Sequence, residues 1–210
     1  METAAKEHRG SISIFYASAE HGTTAAERES AINDEVHAEA EDADPVTEAR
    51  INALLAVPEG EEPPVTVAAA ESLTGGNVSA RITAISGSSS YFLGGIIAYS
   101  NAAKASLLGV SEETLATRGA VSAECAREMA EGARRAFGAD VAVATTGIAG
   151  PGGATERKPV GLVYIALAGP DGVATEEFHF PGGRAVVTGA SAEAALLLLL
   201  RGLERRLGKG

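Results

Sequence analysis

The stretch VTVAAAESLTGG, residues 65–76, decides how the rest of the chain is arranged. Its apolar run predicts a buried β-strand, and the serine and glycines that follow predict a tight turn into a helix over residues 77–85. A helix start carries unpaired backbone N–H groups and the positive end of the helix dipole, which would place Ser72 beside a pocket for an anion or an oxyanion. These residues alone nevertheless favour a plainer interpretation, in which the serine caps a helix and the glycines let the chain turn.

The composition indicates a single α/β domain with additional sequence. The chain has 210 residues and is 45% hydrophobic, which is enough for a sizeable core. Aromatic residues make up only 4% and tryptophan is absent, so the core must be built from alanine, valine, leucine and isoleucine. Such a core favours closely packed α/β layers over a small β-barrel.

Three features of the sequence predict a cytoplasmic protein. The single cysteine, Cys125, excludes an internal disulfide, and the N-terminus carries no secretory signal. The longest apolar run, residues 194–200, is too short to span a bilayer. We therefore expect a reducing compartment, with Cys125 as a buried small hydrophobe, and no membrane partner.

The negative charge lies in the first part of the chain. Residues 1–64 hold 4 basic and 15 acidic side chains, which accounts for the net charge of -11, whereas residues 65–210 hold 13 of each sign. Neither part offers the basic surface that nucleic-acid binding requires. We interpret residues 1–44 as an acidic, disordered leader and residues 45–210 as the folded domain.

The order of predicted elements indicates a three-layer α/β/α sandwich, with a mainly parallel sheet and a C-terminal hairpin. Thr47 is a candidate N-cap for the first helix, Ser100, Ser111 and Ser122 for later helices, and Gly138 ends the last of these. The predicted helices cover residues 45–57, 77–85, 100–108, 111–118, 122–137 and 184–207, and the predicted strands cover residues 65–71, 95–99, 140–146, 160–168 and 173–180.

Polar or glycine-rich segments follow three of these strands, at residues 72–76, 99–104 and 145–153. In open α/β sheets, ligands bind outside the carboxyl ends of the strands, so we expect the three segments to line one crevice. The four histidines are scattered, and His179 lies in an alternating strand pattern that suits a structural role. We therefore expect no metal site, no cofactor and no Ser-His-Asp triad.

A serine and a lysine remain as candidates for catalysis. Serine needs a base to take its proton, and a lysine can be that base when its pKa is lowered. Lys104 follows Tyr99 by five residues, so the first helical turn could return its amine to the crevice beside the Tyr99 hydroxyl. Backbone N–H groups of Thr74, Gly75 and Gly76 would then bind the oxyanion. By spacing alone, an exposed helix lysine fits equally well.

Five ordered motifs make the chain resemble a known family. They are AESLTGG at 70–76, GSSSYFLGGIIAYSNAAKASLLGV at 87–110, GAVSAECAREMAEGAR at 119–134, TGIAGPGG at 146–153 and KPVG at 158–161. The chain resembles, over residues 65–207, the C-terminal domain family of the CinA competence-associated proteins. Stand-alone members of that family are nicotinamide-nucleotide amidases of the PncC type, which deamidate nicotinamide mononucleotide (NMN).

The resemblance implies a reaction and a set of site residues. Ser72 would be the nucleophile and Lys104 its base, Tyr99 would assist, and Thr146 would belong to the substrate pocket. The reaction would convert NMN and water to nicotinate mononucleotide and ammonia without metal or cofactor, in a protein that forms a homo-oligomer. The substrate-binding candidates are completed by Asn101, Gly147, Ala149 and Gly150, with Lys158 and Arg184 as counter-charges for a phosphate placed near residues 147–153.

Three departures from the family pattern leave alternatives open. Leu73 replaces a cysteine, Thr188 stands where many members have an arginine, and the N-terminal nucleotide-pyrophosphatase-like domain of full-length CinA proteins has no counterpart in residues 1–64. One alternative is a non-catalytic nucleotide-binding module associated with competence or DNA damage. A second is an amidase for another small amide.

Overall fold

The computed structural model describes residues 46–209, so the predicted acidic leader lies outside the described residues. The helices are α1 (Val46–Leu55), α2 (Asn77–Thr83), α3 (Asn101–Leu108), α4 (Glu112–Thr117), α5 (Ala123–Phe137) and α6 (Arg184–Arg206). The strands are β1 (Val67–Glu71), β2 (Phe92–Ile97), β3 (Val141–Gly147), β4 (Leu162–Gly169) and β5 (Gly172–His179), and a short 3-10 turn covers Ser88–Ser90.

The five strands form one mixed sheet in the order β2-β1-β3-β4-β5. Strand β1 lies in the centre of the parallel part and pairs with both β2 and β3. Strand β4 runs antiparallel to β3 and forms the predicted hairpin with β5, in which Gly169 pairs with Gly172 across the turn. The α/β class and the C-terminal hairpin are therefore confirmed.

Successive side chains of the central strands point to opposite faces of the sheet. Val67 and Ala69 face the layer of α1, α2 and α6, whereas Ala68 and Ala70 face the layer of α3 and α5. The second face is lined by alanines throughout, which lets α5 pack very close to the sheet. Its six central positions are Ala68, Ala70, Ala142, Ala144, Ala166 and Ala168.

Three of the predicted helix starts are capped as the sequence indicates. The side chains of Ser100, Ser111 and Ser122 accept hydrogen bonds from backbone N–H groups three residues later. Gly138 ends α5 in the left-handed conformation with φ 65°. The prediction of Thr47 as an N-cap is wrong, because Thr47 lies inside α1 and its hydroxyl donates to Glu193 over 2.9 Å.

The second strand begins earlier than predicted. Its pairing with β1 starts at Phe92, skips one residue, and resumes with Ala68 opposite Gly94. Gly94 has φ 145°, a conformation that glycine adopts without a steric cost, so it accommodates the irregular register. The sequence prediction of a strand at residues 95–99 was therefore shifted, and Tyr99 lies beyond the end of β2.

Helix α6 is the core helix of the α1–α2–α6 layer. Among the described residues it is the one helix long and apolar enough to cross a membrane, but half of its most apolar window is buried inside the protein. Leu196, Leu199 and Leu200 are among its ten buried residues. Burial against the sheet accounts for this apolar surface without a membrane.

Candidate active site

The carboxyl ends of the three parallel strands meet at one cavity of about 260 Å³. Ser72 comes directly after β1, Tyr99 follows β2, and Gly147 ends β3. Nine of the thirteen predicted site residues line this cavity, namely Ser72, Tyr99, Asn101, Lys104, Thr146, Gly147, Ala149, Gly150 and Arg184. Thr74, Gly75, Gly76 and Lys158 are not among the residues that line it.

Ser72 and Lys104 form a buried pair at the inner end of the cavity. Lys104 Nζ lies 2.9 Å from Ser72 Oγ. Lys104 is 1% exposed and Ser72 is 8% exposed. Cap residue Ser100 starts α3 directly after β2, so one helical turn brings Lys104 back over the end of β1. The alternative of an exposed helix lysine is therefore wrong.

The surroundings of Lys104 favour its neutral form. Burial lowers the pKa of its amine from the ordinary lysine value, while the nearby Cys125 opposes that shift. Besides Ser72, the amine contacts the carbonyl oxygens of Ala98 at 2.8 Å and Tyr99 at 3.4 Å. A neutral amine has two N–H donors and one lone pair. In its neutral form, an amine with both donors on these carbonyls would direct its lone pair to the Ser72 hydroxyl.

The start of α2 is occupied from within the protein, which corrects the prediction that it binds an oxyanion. The carboxylate of Glu71, 1% exposed, accepts hydrogen bonds from the backbone N–H groups of Gly76, Val78 and Ser79 at 2.8–3.1 Å. An anion at a helix N-terminus satisfies its unpaired N–H groups and its dipole. Glu71 therefore takes the place that the sequence assigned to a ligand.

Of the other backbone N–H groups in this turn, two have an acceptor among the described residues and two do not. Gly75 N–H donates to the carbonyl of Ser72 at 3.3 Å, and Ser72 N–H donates to the carbonyl of Thr145 at 3.0 Å. Among residues 46–209, the N–H groups of Leu73 and Thr74 have no protein acceptor. These two donors, directly after Ser72, are the available candidates for binding an oxyanion.

Tyr99 lies at the rim of the cavity. Its side chain is 65% exposed, and within the described part of the chain its hydroxyl makes no hydrogen bond to Lys104 or to any other residue. The contact between Tyr99 and Lys104 is made by the Tyr99 carbonyl. Tyr99 is therefore a lining residue that contacts Lys104 through its backbone.

Lys158 supports the cavity wall instead of lining it. Its ammonium donates to the carbonyls of Arg118 at 2.6 Å and Val121 at 2.7 Å. The segment between them contains Ala120, whose carbonyl accepts a hydrogen bond of 2.6 Å from the buried Thr146 hydroxyl. The predicted role of Lys158 as a phosphate counter-charge is therefore in conflict with its observed partners.

The cavity lining within the described residues has basic side chains and no acidic ones. Lys104 and Arg184 are the ionisable cations among the described lining residues, and none of those residues is acidic. Arg184 is exposed at the first turn of α6, and Asn101 is exposed at the first turn of α3. Among residues 46–209, no group of three or more His, Cys, Asp or Glu side chains is placed to hold a metal ion.

Sequence reasoning missed several residues of this site. Leu73, Ala120 and Val121 line the cavity, and Glu71 shapes the turn beneath it. Leu73 was noticed only as a departure from a motif. Glu71 carries a signal that could have been used, because a carboxylate a few residues before a helix start is a candidate acceptor for its free N–H groups.

Comparison with known proteins gives one consistent family. A family model described as the CinA C-terminal domain matches residues 57–203. A putative competence-damage inducible protein of Halothermothrix orenii is 52% identical over 141 residues, which cover 67% of this chain and 34% of that protein. A CinA-like protein of a Mycobacterium species is 52% identical over 140 residues, covering 66% of this chain and 33% of that protein. The chain thus spans about a third of the length of these curated relatives.

Solved structures give the same result. The competence damage-inducible protein A (ComA) of Klebsiella pneumoniae superposes with a TM-score of 0.69 at 32% identity, over 76% of this chain and 96% of that one. The competence/damage inducible protein CihA of Agrobacterium tumefaciens has a TM-score of 0.64 at 44% identity, over 65% and 84% of the two chains.

Proposed function

The chain belongs to the CinA C-terminal domain family, and we propose that it is an amidohydrolase that converts NMN and water to nicotinate mononucleotide and ammonia. The observation that carries this proposal is the buried contact of 2.9 Å between Lys104 Nζ and Ser72 Oγ. A lysine whose pKa is lowered by burial is a competent base for a serine nucleophile. The choice of NMN follows from the resemblance to the nicotinamide-nucleotide amidases.

The first half of the reaction acylates Ser72. Neutral Lys104 takes the hydroxyl proton while Ser72 Oγ attacks the carboxamide carbon, and the carbonyl oxygen becomes an oxyanion. The N–H groups of Leu73 and Thr74 are the donors that we assign to this oxyanion. Protonated Lys104 then returns its proton to the leaving nitrogen, the C–N bond breaks, and ammonia departs.

The second half restores the serine. Lys104, again neutral, takes a proton from a water molecule that attacks the acyl carbon of the ester on Ser72. The tetrahedral intermediate collapses, the C–O bond to Ser72 breaks, and Lys104 gives the proton back to Ser72 Oγ. Nicotinate mononucleotide is released as the carboxylic acid, which loses its proton to solvent to become the carboxylate, and the buried pair returns to its starting state.

The shape and charge of the cavity support a nucleotide whose ring enters first. A volume of about 260 Å³ is just below the range of roughly 300–1,000 Å³ usual for small-molecule sites. Such a cavity would enclose the nicotinamide ring and leave the phosphate at the rim. There Arg184 offers a positive charge, and the absence of acidic lining residues in the described chain avoids repulsion of a phosphate.

This activity would place the protein in the recycling of pyridine nucleotides. We assign it to the cytoplasm, as a homo-oligomer that acts without metal, cofactor, nucleic acid or membrane. Its only required partner in the reaction is the small-molecule substrate.

Ammonia release from NMN tests the proposal. The purified protein is assayed with a metal chelator present, beside Ser72→Ala and Lys104→Ala variants whose folding is checked by circular dichroism. Release by the wild type that both substitutions abolish is the expected result. If the wild type releases no ammonia from NMN, the NMN assignment is wrong. In that case release from other small amides would favour a different amidase, and no release from any of them would favour a binding module.

A further inference from the structure

The buried carboxylate of Glu71 has a place in the site that the proposed function does not use. It directly precedes Ser72 and accepts five hydrogen bonds within residues 74–79. Three come from backbone N–H groups of α2 and its cap, and two from the hydroxyls of Thr74 and Ser79. Three of the five partners are backbone N–H groups, which can only donate, so the carboxyl oxygens act as acceptors directed into the turn.

Through Thr74 this carboxylate is connected to the neighbouring strand. The Thr74 hydroxyl donates to Glu71 Oε2 and lies 2.7 Å from the Thr145 hydroxyl, while the Thr145 carbonyl accepts from Ser72 N–H. The turn that carries Ser72 is therefore held on one side by α2 and on the other by β3. Removal of either side would let the turn move relative to Lys104, which belongs to α3.

We propose that Glu71 is a positioning residue for Ser72: its carboxylate fills the start of α2 and fixes the turn so that the Leu73 and Thr74 N–H groups are left for the oxyanion. The inference rests on the proposed role of Ser72 as nucleophile. A buried carboxylate already occupies the start of α2, so we expect the substrate's phosphate to bind elsewhere.

The substitution Glu71→Gln gives the sharpest test. It keeps the size of the side chain, but whichever way the amide rotates, its NH₂ group faces at least one backbone N–H group, which can donate but cannot accept. The turn must then shift, and a displacement of about 1 Å at a reacting group can cost on the order of 100-fold in rate. Thr74→Val removes only the hydroxyl between Glu71 and Thr145, and serves if Glu71→Gln does not fold.

The matched control is Ser79→Ala. It removes one hydrogen bond from a hydroxyl to the same carboxylate, but this hydroxyl belongs to α2 and not to the turn. The Ser79 N–H group still donates to Glu71 Oε1. A merely structural role for Glu71 predicts that all three variants lose stability without a specific loss of Ser72 reactivity. A positioning role predicts that Glu71→Gln and Thr74→Val lose reactivity while Ser79→Ala retains it.

The readout is the rate at which a fluorophosphonate labels Ser72, measured by mass spectrometry on folded protein. Ser72 Oγ forms a bond to phosphorus, fluoride leaves, and Lys104 takes the hydroxyl proton, so no amide substrate is needed. We expect labelling in the wild type and in Ser79→Ala, and a loss of about 10- to 100-fold in Glu71→Gln and Thr74→Val. Equal labelling of all four proteins would overturn the role of Glu71 and leave the nucleophile intact. No labelling of the wild type would overturn the nucleophile itself.

Discussion

Lys104 Nζ lies 2.9 Å from Ser72 Oγ, although 32 residues separate the two in the sequence. The contact joins the end of β1 to the first turns of α3. Strand β2 lies next to β1, and Ser100 caps α3 soon after β2 ends, so α3 begins at the same edge of the sheet. Both side chains are buried, so the serine and its base are held together away from bulk water.

The pH dependence of the reaction should report the pKa of Lys104. Only the neutral amine can accept the proton of Ser72, so kcat/KM should rise with pH through this pKa in the free enzyme and then level off. Burial lowers the pKa, so the midpoint should lie below the ordinary value of 10.5. A pH profile of ammonia release measures it. Lys104→Arg is the control, because a guanidinium keeps its proton and should be inactive at every pH.

A midpoint at or above 10.5 would contradict this assignment, because it would mean that burial does not favour the neutral amine. Activity in Lys104→Arg would contradict it as well, since another group would then be the base.

The lowered pKa of Lys104 should also make the free energy of unfolding depend on pH. Between the lowered pKa of Lys104 and 10.5, the unfolded chain binds a proton that the folded chain does not. The free energy of unfolding should therefore rise with pH through this window in the wild type, relative to Lys104→Met, which has no proton to bind. Urea unfolding of the two proteins over a series of pH values gives the difference. A difference that falls as the pH rises would reverse the sign and refute the prediction.

Tyr99 should act through its ring rather than its hydroxyl. The hydroxyl has no hydrogen-bond partner among residues 46–209, and Tyr99 is an exposed residue of the cavity lining, where we expect its ring to meet the pyridinium ring of NMN. Tyr99→Phe should therefore retain kcat, because phenylalanine offers the same ring face. Tyr99→Ala should raise KM roughly 5- to 30-fold, which corresponds to about 1–2 kcal/mol for a cation on an aromatic face. If phenylalanine is as damaging as alanine, the hydroxyl takes part in the chemistry.

Substitution of Lys158 and of Arg184 should differ in whether the loss of binding requires the substrate's phosphate. Lys158 holds the segment between Arg118 and Val121 through two carbonyls, so Lys158→Met should weaken binding of NMN and of its dephosphorylated riboside to the same extent. It should also lower the free energy of unfolding by about 1–2 kcal/mol. Arg184→Met should weaken binding of NMN alone. Inhibition constants for the two compounds measure this, and a loss specific to NMN in Lys158→Met would restore that residue as a phosphate ligand.

The sequence predicted that the segments after β1, β2 and β3 line one crevice, because ligand crevices form outside the carboxyl ends of strands in open α/β sheets. Its spacing alone left Lys104 open between a base and an exposed helix lysine, and the Ser72–Lys104 pair followed from the family resemblance. The sequence was insufficient for Glu71, because a helix start shows which N–H groups need an acceptor but not which side chain supplies it. It did not predict the partners of Lys158, which are two carbonyls 40 and 37 residues away in an irregular segment. No local pattern points to such a contact, and a lysine near a glycine-rich loop is equally typical of a phosphate site.

The packing of α5 beneath the site gives the last prediction. A Cβ atom added at Gly132 would lie 2.0 Å from the backbone carbonyl oxygen of Leu108, at the end of the helix that carries Lys104. Backbone cannot move aside cheaply, so Gly132→Ala should force α3 and α5 apart and lower the free energy of unfolding by about 1–3 kcal/mol. Gly189 in α6 is the matched control, since a Cβ there meets nothing within 4 Å. Gly189→Ala should leave stability unchanged or raise it by up to about 1 kcal/mol, because alanine favours a helix more than glycine does. Urea unfolding measures the free energy of unfolding of both variants. Equal changes at the two positions would show that α3 and α5 do not approach each other as closely as the Gly132–Leu108 contact requires.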